Sequence, residues 1–101
     1  MLKTKYGIDF ADFDALLSSQ DGRCVICQHE LVYGLPKGSR PEEGQREAVV
    51  DHDHATGDVR GILCRQCNSG LGLLGDNVEA LTAALSYLLS PSHQRLTLVT
   101  T

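Results

Sequence analysis

Four cysteines stand in two Cys-x-x-Cys pairs, Cys24/Cys27 and Cys64/Cys67; they bracket the run Asp51-His52-Asp53-His54, and Asn68 directly follows the last of them. Paired thiols at this spacing suit a structural Zn²⁺, because each two-residue turn brings two sulfurs to one side of a metal that takes four donors in a tetrahedron. A disulfide scaffold is the alternative for a small secreted domain. Here the opening Met1-Leu2-Lys3-Thr4-Lys5-Tyr6-Gly7 carries no apolar signal region, and no long apolar stretch follows, so a reduced, cytoplasmic setting without a membrane is expected. A thioredoxin-like redox pair needs one Cys-x-x-Cys in a βαβ frame rather than two pairs.

The enclosed residues suit different chemistry. Asp51 and Asn68 offer a carboxylate and an amide carbonyl, hard oxygen donors that favour Mg²⁺ or Mn²⁺ and leave positions for water and a phosphate oxygen. A neutral imidazole such as His52 can take a proton from water near neutral pH. Taken singly, Asp51 reads better as a turn carboxylate and Asn68 as an ordinary helix-start residue; it is the trio that points to phosphodiester hydrolysis. Strict strand alternation would send Asp51 and His52 to opposite faces, so a bulge or a break in pairing is required there if both are to reach one phosphate. Arg60 is either a bidentate phosphate clamp or a hairpin surface charge. Asp53 and Asp58 read as turn residues, and His29 and His93 as solvent-facing.

The elements that must position these groups can be traced along the chain. Residues 9–20 carry Phe10, Phe13, Leu16 and Leu17 at helical spacing, with Asp9 as candidate N-cap and Asp12 near the positive helix end. Asp21-Gly22 ends that helix, and residues 23–28 form the first zinc knuckle. Residues 33–45 have loop composition. The short runs 48–50 and 59–63 read as a hairpin around Thr56-Gly57. Residues 64–74 open a helix that Gly70, Gly72 and Gly75 should keep short. Asp76-Asn77-Val78-Glu79 resembles a capping box before a helix with an apolar stripe of Val78, Leu81, Leu85, Leu88 and Leu89, stopped by Pro91. The tail contains a β-prone run, 96–100.

Knuckle, hairpin and a second cysteine pair at a helix start imply an α+β fold of treble-clef-like type with flanking helices, one domain over residues 1–91 and a tail over 92–101. In 101 residues only two Phe, three Tyr and no Trp are available to fill a core, so zinc is expected to supply much of the stability. The formal charge is −4, and a zinc ion with four thiolates adds about −2 more. This argues against broad electrostatic attraction to nucleic acid, so any DNA contact is expected to be local.

The run Val50-Asp51-His52-Asp53-His54-Ala55-Thr56-Gly57-Asp58-Val59-Arg60-Gly61-Ile62-Leu63-Cys64-Arg65-Gln66-Cys67-Asn68, with Cys24-Val25-Ile26-Cys27 upstream and Leu71-Gly72 downstream, resembles the recombination endonuclease VII family of the HNH, or ββα-metal, nucleases. The resemblance covers roughly residues 6–89. It implies a hairpin and helix clasping a divalent ion and metal-dependent cleavage of DNA by a phage or prophage enzyme. By position it makes Asp51 and Asn68 the ligands of a catalytic Mg²⁺ or Mn²⁺ and His52 the general base, with His54 in a supporting role. One departure stands out: the family's junction resolvase has an acidic residue three positions after the metal-binding Asn, where this chain has Leu71. It also lacks the resolvase's long C-terminal extension, so junction specificity is not implied and the chain could act as monomer or homodimer. The alternative reading is a zinc-stabilised binding module for nucleic acid or protein in a phage packaging or repair assembly.

Overall fold

The computed structural model describes residues 8–90. The β-prone run 96–100 and His93 lie outside them. Among the described residues are three helices and a three-stranded sheet, an α+β arrangement, in the order α1 (Phe10–Ser19), β1 (Glu30–Val32), β2 (Gln45–His52), β3 (Val59–Cys64), α2 (Arg65–Leu73) and α3 (Val78–Leu89). The chain divides into two compact units, Met1–Ser69 and Gly70–Thr101.

In the first unit, Asp9 caps α1 as expected, its Oδ1 accepting the Ala11 N–H at 2.7 Å. The helix ends in a Schellman turn: Asp21 takes a positive φ of 56°, the Gly22 N–H donates to the Leu17 carbonyl at 2.9 Å and the Asp21 N–H to that of Ser18 at 3.0 Å. Of the four apolar positions on this helix, Phe13 and Leu17 are buried, whereas Phe10 stays half-exposed at the edge of an aromatic cluster with Phe13 and Tyr33.

The sheet order is β1-β2-β3. β2 and β3 form the expected antiparallel hairpin, with Ala48 opposite Cys64, Val50 opposite Ile62 and Asp51 opposite Gly61. Facing residues Ala48, Val50, Ile62 and Cys64 are all buried and join Phe13, Leu17 and Leu31 in the core. β1 pairs parallel to β2, Leu31 opposite Arg46, across a loop of about the dozen residues that parallel pairing requires. This strand was not foreseen from the sequence.

α1 is fastened to β3 by one side chain. The Gln20 amide donates to the Ile62 carbonyl at 2.8 Å and accepts the Ile62 N–H at 2.9 Å, so it completes the outer edge of β3 as a neighbouring strand would. Gly61 leaves room for this approach, since a Cβ there would meet Gln20 Oε1 at 3.5 Å and Val25 Cγ2 at 3.7 Å.

In the second unit, α3 is capped by Asn77, whose Oδ1 accepts the Ala80 N–H at 2.7 Å. The cap lies one residue beyond the Asp76–Glu79 spacing, so Glu79 falls short of the third helical position that a capping box needs. Asp76 instead takes a left-handed φ of 54° in the turn before the cap. Val78, Leu85, Leu88 and Leu89 of the apolar stripe are exposed. No described helix is long and apolar enough to cross a membrane.

Candidate metal and hydrolytic sites

The two cysteine pairs come together. Cys24 follows the Schellman turn and sits at the base of a tight loop in which its N–H donates to the His29 carbonyl and its carbonyl accepts the Gln28 N–H, both at 3.0 Å. Cys64 ends β3, and Cys67 lies in the first turn of α2. All four sulfurs fall within 4.8 Å of one another, and Cys27 and Cys64 are 3.7 Å apart. Sulfurs at zinc–sulfur bond length in a tetrahedron would be about 3.8 Å apart, so the donor set fits Zn²⁺ in type, number and spacing.

The ionisation pattern fits a shared cation. Burial opposes ionisation of the Cys24 thiol, but backbone hydrogen bonds from Cys27, Cys64 and Ile26 outweigh it and bring its pKa down to about 6. Burial likewise opposes Cys64, which is nonetheless held low by the backbone of Cys67 and the side chain of Arg46. Cys67 moves the other way, raised by burial and by its sulfur neighbours. Without a positive charge among them, four close sulfurs cannot all be thiolates; a divalent ion removes that conflict.

Cys64 has a second task. Its Sγ accepts the Cys67 N–H at 3.2 Å, the bond a Ser or Asp side chain makes at a helix N-cap, so the cysteine that closes β3 also starts α2. Two further features of this centre were not legible in the sequence. Arg46 Nη1 lies 3.8 Å from Cys27 Sγ and 3.7 Å from Cys64 Sγ. His29, expected to face solvent, is half-buried, and among the described residues its buried Nδ1 has no hydrogen-bond partner; its carbonyl accepts the Cys24 N–H.

The hydrolytic candidates occupy the far end of the hairpin and the start of α2. Asp51 and His52 are the last residues of β2, and the strand pairing slips between them: Asp51 faces Gly61 whereas His52 faces Val59. The pairing is irregular at the expected step, but the unmatched residue is Arg60, on the opposite strand, so no extra residue in β2 interrupts the alternation of Asp51 and His52. A bulge of this kind adds local twist and re-aims the side chain at its extra position. Arg60 turns back onto Asp51, Nε donating to Oδ2 at 2.8 Å and Nη2 to Oδ1 at 3.0 Å, a two-point ion pair on a buried carboxylate. His52 is half-buried, and among the described residues its imidazole has no hydrogen-bond partner. The same holds for the half-buried amide of Asn68, one residue beyond Cys67 on α2.

The turn between the strands is built on Asp53. Its Oδ1 accepts the Ala55 N–H at 2.8 Å and the Thr56 N–H at 3.2 Å, and these bonds hold its carboxyl below the usual range. Asp58 contributes through its backbone, donating to Thr56 Oγ1 at 3.2 Å and accepting the Asp53 N–H at 2.7 Å. Gly57, with φ of 79°, makes the reversal. His54 is exposed on this turn.

A profile of the recombination endonuclease VII family matches residues 1–90. The chain belongs to that family. It is also 40% identical over 87 residues to the Gene 59 protein of Mycobacterium phage D29, and 39% identical over 87 residues to the Gene 59 protein of Mycobacterium phage L5. Each match covers 85% of this chain and 46% of the phage protein, so the chain spans about half the length of the curated relatives it matches.

Proposed function

We propose that this chain is a metal-dependent DNA endonuclease of HNH type, in which residues 1–91 form the nuclease domain and 92–101 a tail. On this reading β2, β3 and α2 are the ββα-metal unit, the four cysteines bind a structural Zn²⁺ in treble-clef fashion, and Asp51 and Asn68 hold a catalytic Mg²⁺ or Mn²⁺. The observation that carries the proposal is the bulged end of the hairpin: a buried carboxylate beside an uncommitted imidazole, with an uncommitted amide on the helix that follows. Arg60 lies against both oxygens of Asp51, so the carboxylate already carries a positive counter-charge in this structure.

When bound, the divalent ion supplies charge stabilisation at the scissile phosphate and the leaving oxygen. His52 accepts a proton from water; the water oxygen bonds to phosphorus, the P–O3′ bond breaks with its electron pair going to O3′, and O3′ takes a proton from solvent to become the hydroxyl. An ion at Asp51 would compete with Arg60 for the carboxylate, and an oxygen given up to it frees the guanidinium to pair with a phosphate oxygen. On this reading His54, exposed on the adjoining turn, binds phosphate, orients the site or assists the ion, since the chemistry needs only one base. Phage DNA is the partner in a reduced cytoplasm that suits four free thiols.

The Asp51–Arg60 pair, together with Leu71 in place of an acidic side chain, also favours a second reading: a zinc-stabilised module that binds DNA or another phage protein and cuts poorly alone. Cleavage of an end-labelled duplex separates the two. The expected products carry 5′-phosphate and 3′-hydroxyl ends and form only with added Mg²⁺ or Mn²⁺. Binding without cleavage under every ion would leave the module reading in place of the enzyme.

A further inference from the structure

We infer that Arg46 is a positioning residue of the cysteine centre, one that neutralises and shields the Cys27 and Cys64 thiolates and so slows loss of the metal to electrophiles. The inference rests on the zinc reading of the four cysteines. It begins with one nitrogen. Nη1 of Arg46 carries two hydrogens and lies 3.8 Å from Cys27 Sγ and 3.7 Å from Cys64 Sγ, so a single NH₂ group can donate one bond to each sulfur. These are the two sulfurs contributed by different knuckles, 3.7 Å apart, and Arg46 therefore bridges the halves of the centre.

The strand geometry places it there. Leu31 of β1 stands opposite Arg46, and two residues further along β2 Ala48 stands opposite Cys64, so alternation puts Arg46 on the same face as the cysteine. On its other side Arg46 lines an open cleft of about 250 Å³ with Arg40, Gln45, Glu47, Arg65 and Gln66. Arg46 thus borders both the two sulfurs and the cleft.

The chemical consequence follows from charge. Four thiolates on Zn²⁺ leave a net charge of about −2, spread over nucleophilic sulfur lone pairs. An N–H donor engages a lone pair that an electrophile would otherwise attack, and a fixed positive charge offsets part of the excess. With iodoacetamide, a sulfur forms a new carbon–sulfur bond, iodide leaves with its electron pair, and the alkylated sulfur is no longer an anionic ligand. Arg46 should slow that step at Cys27 and Cys64.

The test uses the zinc-loaded full chain, with zinc content measured first and release then followed with a chromogenic chelator as iodoacetamide is added. Arg46→Met, which retains a comparable apolar stem without charge, should release zinc about tenfold faster than wild type, the scale of losing hydrogen bonds to an ion. Arg46→Lys should fall between them, since an ammonium keeps the charge but loses the planar fork. In the cobalt-substituted protein the thiolate-to-metal absorption band should move to lower energy in Arg46→Met while the d–d bands stay those of four sulfurs, a signature that reduced folding stability alone would not produce. If Arg46→Met does not fold, Arg46→Lys carries the test and should still release zinc faster than wild type. Equal release rates and an unmoved cobalt band in a zinc-containing wild type and its folded variants would overturn the inference and leave the zinc site standing. A wild-type chain that binds no zinc would overturn both.

Discussion

Removing Arg60 should weaken the ion-free protein and leave the ion-loaded protein nearly intact. In the Asp51–Arg60 pair the aspartate side chain is 11% exposed and the arginine side chain 36%. Taking one partner from a fully buried pair costs about 3–5 kcal/mol, because the remaining charge is stranded. Exposure of the arginine admits water and lowers that cost, to about 2 kcal/mol for Arg60→Ala. A domain of this size shifts its Tm by about 4–8 °C per kcal/mol, so the zinc-loaded variant should melt about 8–16 °C below wild type when no other divalent ion is present. Saturating Mg²⁺ or Mn²⁺ should restore most of the loss, because the ion takes over as counter-charge to Asp51. Wild type should gain less, since there the ion must first displace Arg60. Thermal unfolding by circular dichroism measures each case, with Asp51→Asn as the variant that no ion should rescue. An equal deficit with and without the ion would refute the argument that Arg60 and the catalytic cation share Asp51.

Two further outcomes are expected. Cys64→Ser, which removes a zinc ligand and the acceptor at the start of α2 together, should unfold the first unit, because apparent zinc binding of about 10–16 kcal/mol in small sites exceeds the stability of most domains this size; a sharp thermal transition in a zinc-free variant would show that the cysteines do not organise the fold. His52→Ala should retain fold and zinc but lose about 10²–10⁴ in cleavage rate, the scale of a missing general base, whereas Asn68→Ala should raise the divalent-ion concentration needed for half-maximal rate. Wild-type cleavage by His52→Ala would remove it from that role.

The parts of this fold that were legible in the sequence are those coded locally. Phe13 and Leu17 at helical spacing behind Asp9, the apolar runs on either side of Thr56-Gly57, and the cysteine pairs each announce their element within a few residues. β1 does not: three residues, Glu30-Leu31-Val32, are too few for alternation to show, and their partner lies across a loop rich in Gly and Pro. Polar side chains that act at long range were equally hidden. Gln20 reads as the end of a helix and proves to be a surrogate strand for β3; Arg46 reads as a strand charge and proves to bridge two sulfurs. For the hydrolytic residues, alternation showed that Asp51 and His52 needed a pairing defect, but not that Arg60 would be the extra residue and bind the carboxylate. The stripe on α3 was read correctly as a helix face, yet periodicity says only that a face is apolar; Val78, Leu85, Leu88 and Leu89 remain exposed.

Conversion of supercoiled plasmid tests the proposed activity most directly. Zinc-loaded protein with Mg²⁺ or Mn²⁺ should produce nicked circles first and linear DNA late, since each chain has one Asp51/His52/Asn68 constellation. No conversion is expected without the added ion or with Asp51→Ala. Plasmid left intact under every divalent ion, or cut equally well by Asp51→Ala, would contradict the account.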